Sequence, residues 1–365
     1  MTAGNWRLWL LLLTSALFFG CDDAPKGNTA DTSCPEGKVF DDLYGDCVFV
    51  VADTTDADEL EVSEPDVLDE EVAEEVVEDT APEVVEVLDT DNDCDKDMDG
   101  AWSLECGGND CDDNNFNRAP DRREFCDDID NNCDGNLNEG LNCTFYANTG
   151  QLLYQIDPIK KVVSAPLPIV RDPNETGDMQ WLTDIDTSPD GILYGVAKDY
   201  PDAGTVLYQF DDWLHVWSTI GSSPNVLEPS GLAISTDGVA YVLAGDSMYT
   251  MNLATGQANL VGPLGSGFFA SGDCVMNKND SLYMTSKAAG QNDTLVLVET
   301  TSGQGTALGD VGFANLYGLT VAWGKMYGLN SAGQVIEINP ITGAGTLVTT
   351  FSNISWWGAA STPNR

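Results

Sequence analysis

The sequence predicts an all-β chain that ends in a β-propeller of five four-stranded blades. Three observations carry this. A unit of roughly 40–50 residues recurs through residues 144–365. Each copy holds four short apolar-rich segments of period two, cut by Gly, Asn or Asp turns, which is the pattern of a four-stranded antiparallel sheet. The two ends of the region supply complementary parts of one further copy.

Four copies are complete. They are DIDTSPDG-ILYGVAKDYPDAG-TVLYQFDDW-LHVWSTIG at 184–221, GLAISTDG-VAYVLAG-DSMYTMNLATG-QANLVGPLG at 231–265, GDCVMNKND-SLYMTSKAAGQND-TLVLVETTSG-QGTALGDVG at 272–312, and YGLTVAWG-KMYGLNSAG-QVIEINPITG-AGTLVTTF at 317–351. FYANTG, QLLYQIDPIKK and VVSAPLPIV, from residue 145 on, align with strands two to four. ISWWGAAST at 354–362 aligns with strand one. Joined, they form a fifth blade and leave no open sheet edge; six blades is the alternative if a divergent copy is hidden. Tyr194, Tyr241, Tyr283 and Tyr327 share a register that predicts packing between blades. Cys274 aligns with Ile185, Leu232 and Leu319, so a buried, inert thiol is expected. The repeats resemble Tyr-, Gly- and Asp-rich propellers of secreted bacterial proteins, with no single propeller family specified.

The N-terminus predicts export. Arg7 precedes an apolar run, Leu8–Phe19, too short to span a bilayer but suited to a signal-peptide core. Gly20-Cys21 after such a core resembles a bacterial lipobox, which makes 1–20 the signal peptide and Cys21 the lipidated residue. The alternative is an ordinary secretory signal with Cys21 free or paired. The expected address is the cell envelope: outer membrane or cell surface first, with Asp22 and Asp23 keeping the periplasmic face of the inner membrane as the alternative. Within 21–51, Cys34 and Cys47 flank a short segment and are expected to pair. Residues 52–93 contain no base and are mostly Glu, Asp and Val, so a disordered acidic linker is expected there. A transient helix with Val67, Leu68, Val72, Val76 and Val77 on one face is the weaker reading, because Val is a poor helix former.

Charge excludes one partner class. The chain has 60 acids against 15 bases and one His. Phosphate contact needs clustered Lys and Arg, so no nucleic-acid partner is expected. Membrane contact is expected through the N-terminal lipid alone.

Residues 94–143 form a Cys/Asp-rich, loop-rich module. Its six cysteines, Cys94, Cys106, Cys111, Cys126, Cys133 and Cys143, allow three bridges in 15 connectivities. Asp95-x-Asp97-x-Asp99-Gly100 sets three carboxylates on alternate residues ahead of a tight turn, as a calcium loop begins. The twelfth position is Cys106 where an EF-hand places Glu, so this is not an EF-hand. Asp130-x-Asn132-x-Asp134-Gly135 repeats the spacing, and Asp110, Asp112, Asp113 and Glu139 add hard oxygen. These ten residues are the candidate metal ligands. A single His and oxidised thiols argue against zinc and copper, so calcium is expected.

The run DxDxDG, then Cys106, then DCDD at 110–113, then P-x-x-x-E-x-C-D-x-x-D-N-N-C-D-G-x-x-x-E at 120–139 resembles the metal-binding motif of the MopE type. That motif recurs in secreted proteins and lipoproteins of myxobacteria and their relatives. The resemblance implies envelope or extracellular placement and metal binding, with copper suggested by the family's name, and it does not imply an enzyme.

Chemistry in the propeller is sparse. His215 has no evident acid–base partner, and no G-x-S-x-G, phosphate loop or redox Cys pair occurs. Asp184 and Asp273 share a register at the start of the first strand, where the other blades place Gly231, Gly318 and Gly358. As channel-mouth acids they could serve a hydrolase or lyase; as solvated rim acids they would do nothing. Trp213, Trp217, Trp356 and Trp357 could contact a glycan or pack half-buried on strands. The leading expectation is a non-enzymatic lipoprotein whose propeller binds a protein or glycan.

Overall fold

The computed structural model describes residues 38–41, 46–49, 94–200, 204–287, 291–363 and 365. The expected signal peptide, Cys21, Cys34 and the linker 52–93 lie outside these residues, and the Cys34–Cys47 pairing is not described. Contacts divide the chain into Met1–Val84 and Val85–Arg365. In the first unit, β1 (Lys38–Asp41) and β2 (Asp46–Phe49) pair antiparallel.

The second unit holds a loop-rich module, with a 3-10 turn at Leu104–Cys106, followed by five blades. Blade 1 comprises β7 (Leu182–Thr187), β8 (Leu193–Lys198), β9 (Thr205–Asp211) and β10 (Val216–Ser223). Blade 2 comprises β11 (Pro229–Ile234), β12 (Ala240–Ala244), β13 (Ser247–Met251) and β14 (Ala258–Pro263). Blade 3 comprises β15 (Ala270–Met276), β16 (Leu282–Lys287), β17 (Asp293–Val298) and β18 (Gly305–Asp310). Blade 4 comprises β19 (Leu316–Ala322), β20 (Lys325–Asn330), β21 (Gln334–Ile338) and β22 (Gly345–Thr350). Each is a simple antiparallel meander in sequence order.

Blade 5 is built from both ends of the repeat region, and the count is five. Its inner strand is β23 (Gly358–Ala359), which pairs with β3 (Phe145–Asn148), then β4 (Leu152–Asp157). The outer position is split between β5 (Val162–Val163) and β6 (Leu167–Pro168), both paired to β4. The inner strands β7, β11, β15, β19 and β23 neighbour one another in turn, and β23 returns to β7, so the ring is closed.

Each seam between blades has its own apolar core. The equivalent tyrosines alternate onto those seams. Tyr194 packs between blades 1 and 2, Tyr241 between 2 and 3, Tyr283 between 3 and 4, and Tyr327 between 4 and 5. Tyr146 holds the same place between blades 5 and 1. Cys274 lies in the core between blades 2 and 3, and burial pushes its thiol well above the ordinary value. Trp217 and Trp356 are fully buried, so two of the four tryptophans considered for glycan contact are core residues. Their indoles are the largest fully buried side chains, which is why they close the seams flanking blade 5.

Candidate functional site

The module's six cysteines pair as Cys94–Cys106, Cys111–Cys133 and Cys126–Cys143. These bridges stand in for an apolar core too small to order the segment alone. Between them the two acidic loops fold alike. In the first, Asp95 Oδ1 accepts the N–H of Asp99 at 3.0 Å and its Oδ2 accepts that of Gly100 at 3.2 Å. Asp97 Oδ1 accepts the Asp99 N–H, and Asp99 Oδ1 the Ala101 N–H at 2.8 Å. In the second, Asp130 accepts from Asp134 and Gly135, Asn132 from Asp134, and Asp134 from Asn136. The turns need Gly100 and Gly135, whose φ angles are 93° and 89°.

Asp95 and Asp130 thus spend both oxygens on the backbone, whereas Asp97 and Asp99 spend Oδ1 and keep Oδ2 buried and free of any hydrogen bond. Asp95, Asp97 and Asp99 have carboxylate oxygens within 4.8 Å of one another. A parallel bridge between Ser103 and Asp110, with the Asp110 N–H donating to the Trp102 carbonyl, sets Asp110 near enough to repel Asp97 and Asp99, while its own carboxylate converges with the sulfurs of Cys111 and Cys133. Asp97 Oδ2 and Asp110 Oδ2 are buried with no hydrogen-bond partner. Asp99 Oδ2 has a 3.7 Å ion pair with Arg122 as its partner. Burial, followed for Asp97 by repulsion from Asp99, raises the Asp97 and Asp99 pKa values. Unpaired carboxylates at this spacing repel unless a cation sits among them.

The second loop carries Asp130, Asn132 and Asp134, with Glu139 following it. Asn132 Nδ2 donates to Glu139 Oε1, and Glu139 Oε2 is buried without a partner. Glu124 pins this loop from behind, its two oxygens accepting the N–H groups of Asn132 at 2.9 Å and Asn138 at 2.8 Å. Two of the ten candidate ligands sit elsewhere. Asp112 faces Arg118 at 3.5 Å, and Asp113 faces Lys96 at 3.0 Å, which lowers its pKa through the lysine's hydrogen bond. The sequence could not separate these from the rest, because every acid in DCDD has the same composition signal and only folding assigns each a counter-ion. Cys111 and Cys133 lie beside Asp110, but as a disulfide they offer no thiolate.

The donor set tests the two metals. Carboxylate and amide oxygens surround both loops, no imidazole occurs in the module, its six cysteine sulfurs are oxidised, and the one remaining sulfur, the Met98 thioether, is 68% exposed. This suits a hard cation such as calcium and offers copper no imidazole and no thiolate, with the Met98 thioether as the only soft donor.

The ring axis corrects the reading of Asp184 and Asp273. Both are fully buried and belong to neither a channel-mouth site nor a solvated rim. Asp184 Oδ2 accepts the Leu232 N–H of blade 2 at 2.6 Å, and Oδ1 accepts that of Ile185. Asp273 Oδ2 accepts the N–H of Leu319 in blade 4 at 2.7 Å and of Ala359 in blade 5 at 3.1 Å. The two carboxyls are close neighbours; burial first, then repulsion from Asp273, holds the Asp184 pKa well above the ordinary range, and burial raises Asp273 likewise. A side chain at Gly358 would overlap Asp184 Oδ1, which explains the glycine in that register. A third acid, Asp186, went unnoticed although it lies two residues from Asp184 on the same face of β7. It accepts the N–H groups of Ile234 and Ser361 and faces Arg365 at 3.6 Å.

Of the remaining tryptophans, Trp213 is 90% exposed, and Trp357 is half-buried with its ring 5.6 Å from that of Trp181. His215 precedes the outer strand, in a hairpin, and stacks on Phe210.

Similar solved structures give low overall scores. The chain is similar to hydrazine synthase from Kuenenia stuttgartiensis (15% identity, TM-score 0.36, covering 50% of this chain and 54% of that one). It is similar to a chain of a nidogen/laminin complex (12% identity, TM-score 0.41, covering 60% and 97%). It is also similar to TolB from Acinetobacter baumannii (17% identity, TM-score 0.37, covering 57% and 53%). The chain thus spans about half the length of the hydrazine synthase and TolB chains. No curated protein matches it. Residues 78–100 and 110–139 match the family Cu-binding MopE, described as "Putative metal-binding motif", so this chain carries that family's motif in the segment that closes both acidic loops, directly ahead of a five-bladed propeller.

Proposed function

We propose that this protein is a non-enzymatic cell-envelope lipoprotein, anchored through Cys21, in which a calcium-stabilised collar presents the propeller to a protein or glycan. The observation that supports it most is the convergence of Asp95, Asp97 and Asp99 with Asp97 Oδ2 buried and unpartnered, and a second such oxygen, Asp110 Oδ2, near enough to repel Asp97. Two carboxylate oxygens withheld from water and from every donor are costly unless a cation occupies the space between them. Asp95, Asp97, Asp99 and Asp110 would hold one calcium; Asp130, Asn132, Asp134 and Glu139 would hold a second.

The collar is coupled to the ring. The Cys126–Cys143 bridge ends two residues before β3, and Asp128 pairs with Lys325 of blade 4 at 3.0 Å. Ordering the collar therefore fixes the mount of the ring. The burial of Asp184 and Asp273 supports the non-enzymatic reading over a hydrolase or lyase that would use those two acids. The outer membrane or cell surface is the proposed location, in keeping with oxidised cysteines.

The test is chelation of the purified mature protein. Removing calcium should lower the protease resistance of residues 94–143 and the collar's melting temperature, with calcium restoring both and copper restoring neither. If chelation changes neither property, the calcium assignment is wrong.

A further inference from the structure

Arg122 stands against the first acidic loop without entering it. Its backbone is fixed by the turn Ala119-Pro120-Asp121-Arg122, where Pro120 presets the bend and the Arg122 N–H donates to the Ala119 carbonyl at 2.9 Å. Ala119 is buried, and its own N–H donates to the Asn131 carbonyl at 2.9 Å, so the turn is tied to the second loop. From there the side chain crosses to the first. Three contacts park the guanidinium. Nε donates to the Phe116 carbonyl at 2.9 Å, Nη2 donates to the Asp99 carbonyl at 3.1 Å, and Cζ lies 4.6 Å from the centroid of the Phe116 ring.

Parking decides what the charge can do. Nη2 is 3.7 Å from Asp99 Oδ2, near enough for electrostatic attraction and too far for a hydrogen bond. The Asp99 side chain is wholly buried and the guanidinium is half-buried, so water and salt screen the pair little. Asp99 Oδ2 therefore has a counter-charge but no donor, and it stays free to meet an ion together with Asp97 Oδ2. The neighbouring bases Lys96 and Arg118 are turned to Asp113 and Asp112 instead.

A fixed cation beside a cation site acts in two directions. When the loop is empty, it offsets part of the repulsion among Asp95, Asp97 and Asp99, whose carboxylate oxygens lie within 4.8 Å of one another. When a divalent ion enters, the same charge repels it. We propose that Arg122 is a built-in counter-ion that sets the affinity of the first loop. It holds the empty collar together and weakens calcium binding below what the carboxylates alone would give. The proposal rests on the calcium reading of this loop and adds its regulation: the collar gives up its ion more readily than its acid count implies.

The test is calorimetric titration of the full mature protein with calcium, alongside thermal melts in chelator and in saturating calcium. Asp97→Asn marks which step of the titration belongs to this loop. Arg122→Gln removes the charge and keeps an amide that can donate to the Asp99 carbonyl. It should bind calcium about tenfold more tightly at this loop and melt lower than the native protein in chelator. Arg122→Lys keeps the charge and loses the planar fork, and its affinity should stay within about threefold of native. A purely structural arginine predicts the opposite sign, since both variants lose the Phe116 contact and both would bind more weakly. The proposal is overturned if glutamine leaves the affinity unchanged or lowers it, if lysine tightens binding as glutamine does, or if the glutamine variant folds neither with nor without calcium. A glutamine variant that folds only with calcium supports it. If the native protein and the variants all fail to bind calcium, the calcium reading itself is wrong and the tuning falls with it, an outcome distinct from the other three.

Discussion

Asp186 Oδ1 accepts the backbone N–H of Ser361 at 2.8 Å, joining the inner strand of blade 1 to the segment that completes blade 5. The same carboxylate reaches Ile234 of blade 2 and faces Arg365, whose guanidinium donates to the carbonyls of Thr187 and Ile234. Three blades meet on one side chain. The closing strand β23 has only two ladder pairs, with Asn148 and Ala147, so these carboxylate contacts supplement a short ladder.

Asp186→Ala should therefore open the ring at its closure. It leaves two N–H groups without their acceptor and a buried guanidinium without its counter-charge, a loss of about 3–5 kcal/mol. Denaturant titration would read the loss, and limited proteolysis should show cleavage near residues 355–365 first.

Asp184→Asn should be tolerated far better than Asp184→Ala. The amide oxygen can still accept the Leu232 N–H and the buried charge is gone, whereas alanine strands that N–H and costs about 1–3 kcal/mol. The dyad's pKa values are raised in the folded state. Its contribution is therefore full below the unfolded carboxyl value and is lost as pH rises through the folded one. Melting temperature against pH should show that decline in the native protein and a flatter profile in the asparagine variant.

Asp110→Ala should weaken calcium binding by about tenfold or more, or about 1.4 kcal/mol, because it removes a ligand charge from the first loop. Asp112→Ala, which loses only a pairing with Arg118, should leave affinity within error. Calorimetric titration on each variant decides between them.

Replacing Cys126 and Cys143 by Ser should destabilise the collar by about 3 kcal/mol, as expected for a closed loop of this length. The bridge spans 17 positions. The ring should keep its own unfolding transition, which differential scanning calorimetry would resolve.

The blades were legible because period and register are written in the sequence. Tyr194, Tyr241, Tyr283 and Tyr327 recur at one position, and two partial repeats complete each other. The acidic loops were legible through DxDxDG and DxNxDG. What escaped was pairing in space. Nothing local distinguishes Asp110, which turns inward, from Asp113, which meets Lys96. Asp184 and Asp273 sit in strand positions that solvent could reach in an isolated blade, and only the closed ring buries them. Asp186 could have been found, since alternation on β7 places it beside Asp184.

The division of blade 5 between distant chain segments governs the order of assembly. During synthesis β3 and β4 emerge first, but their inner neighbour β23 follows some 200 residues later. Until then β3 carries a bare ladder edge, the kind of surface on which chains aggregate. The first-made sheet must wait for the last-made strand, so closure is a late, long-range step. A chain whose folding stalls before that step would be the species most in need of a chaperone's cover.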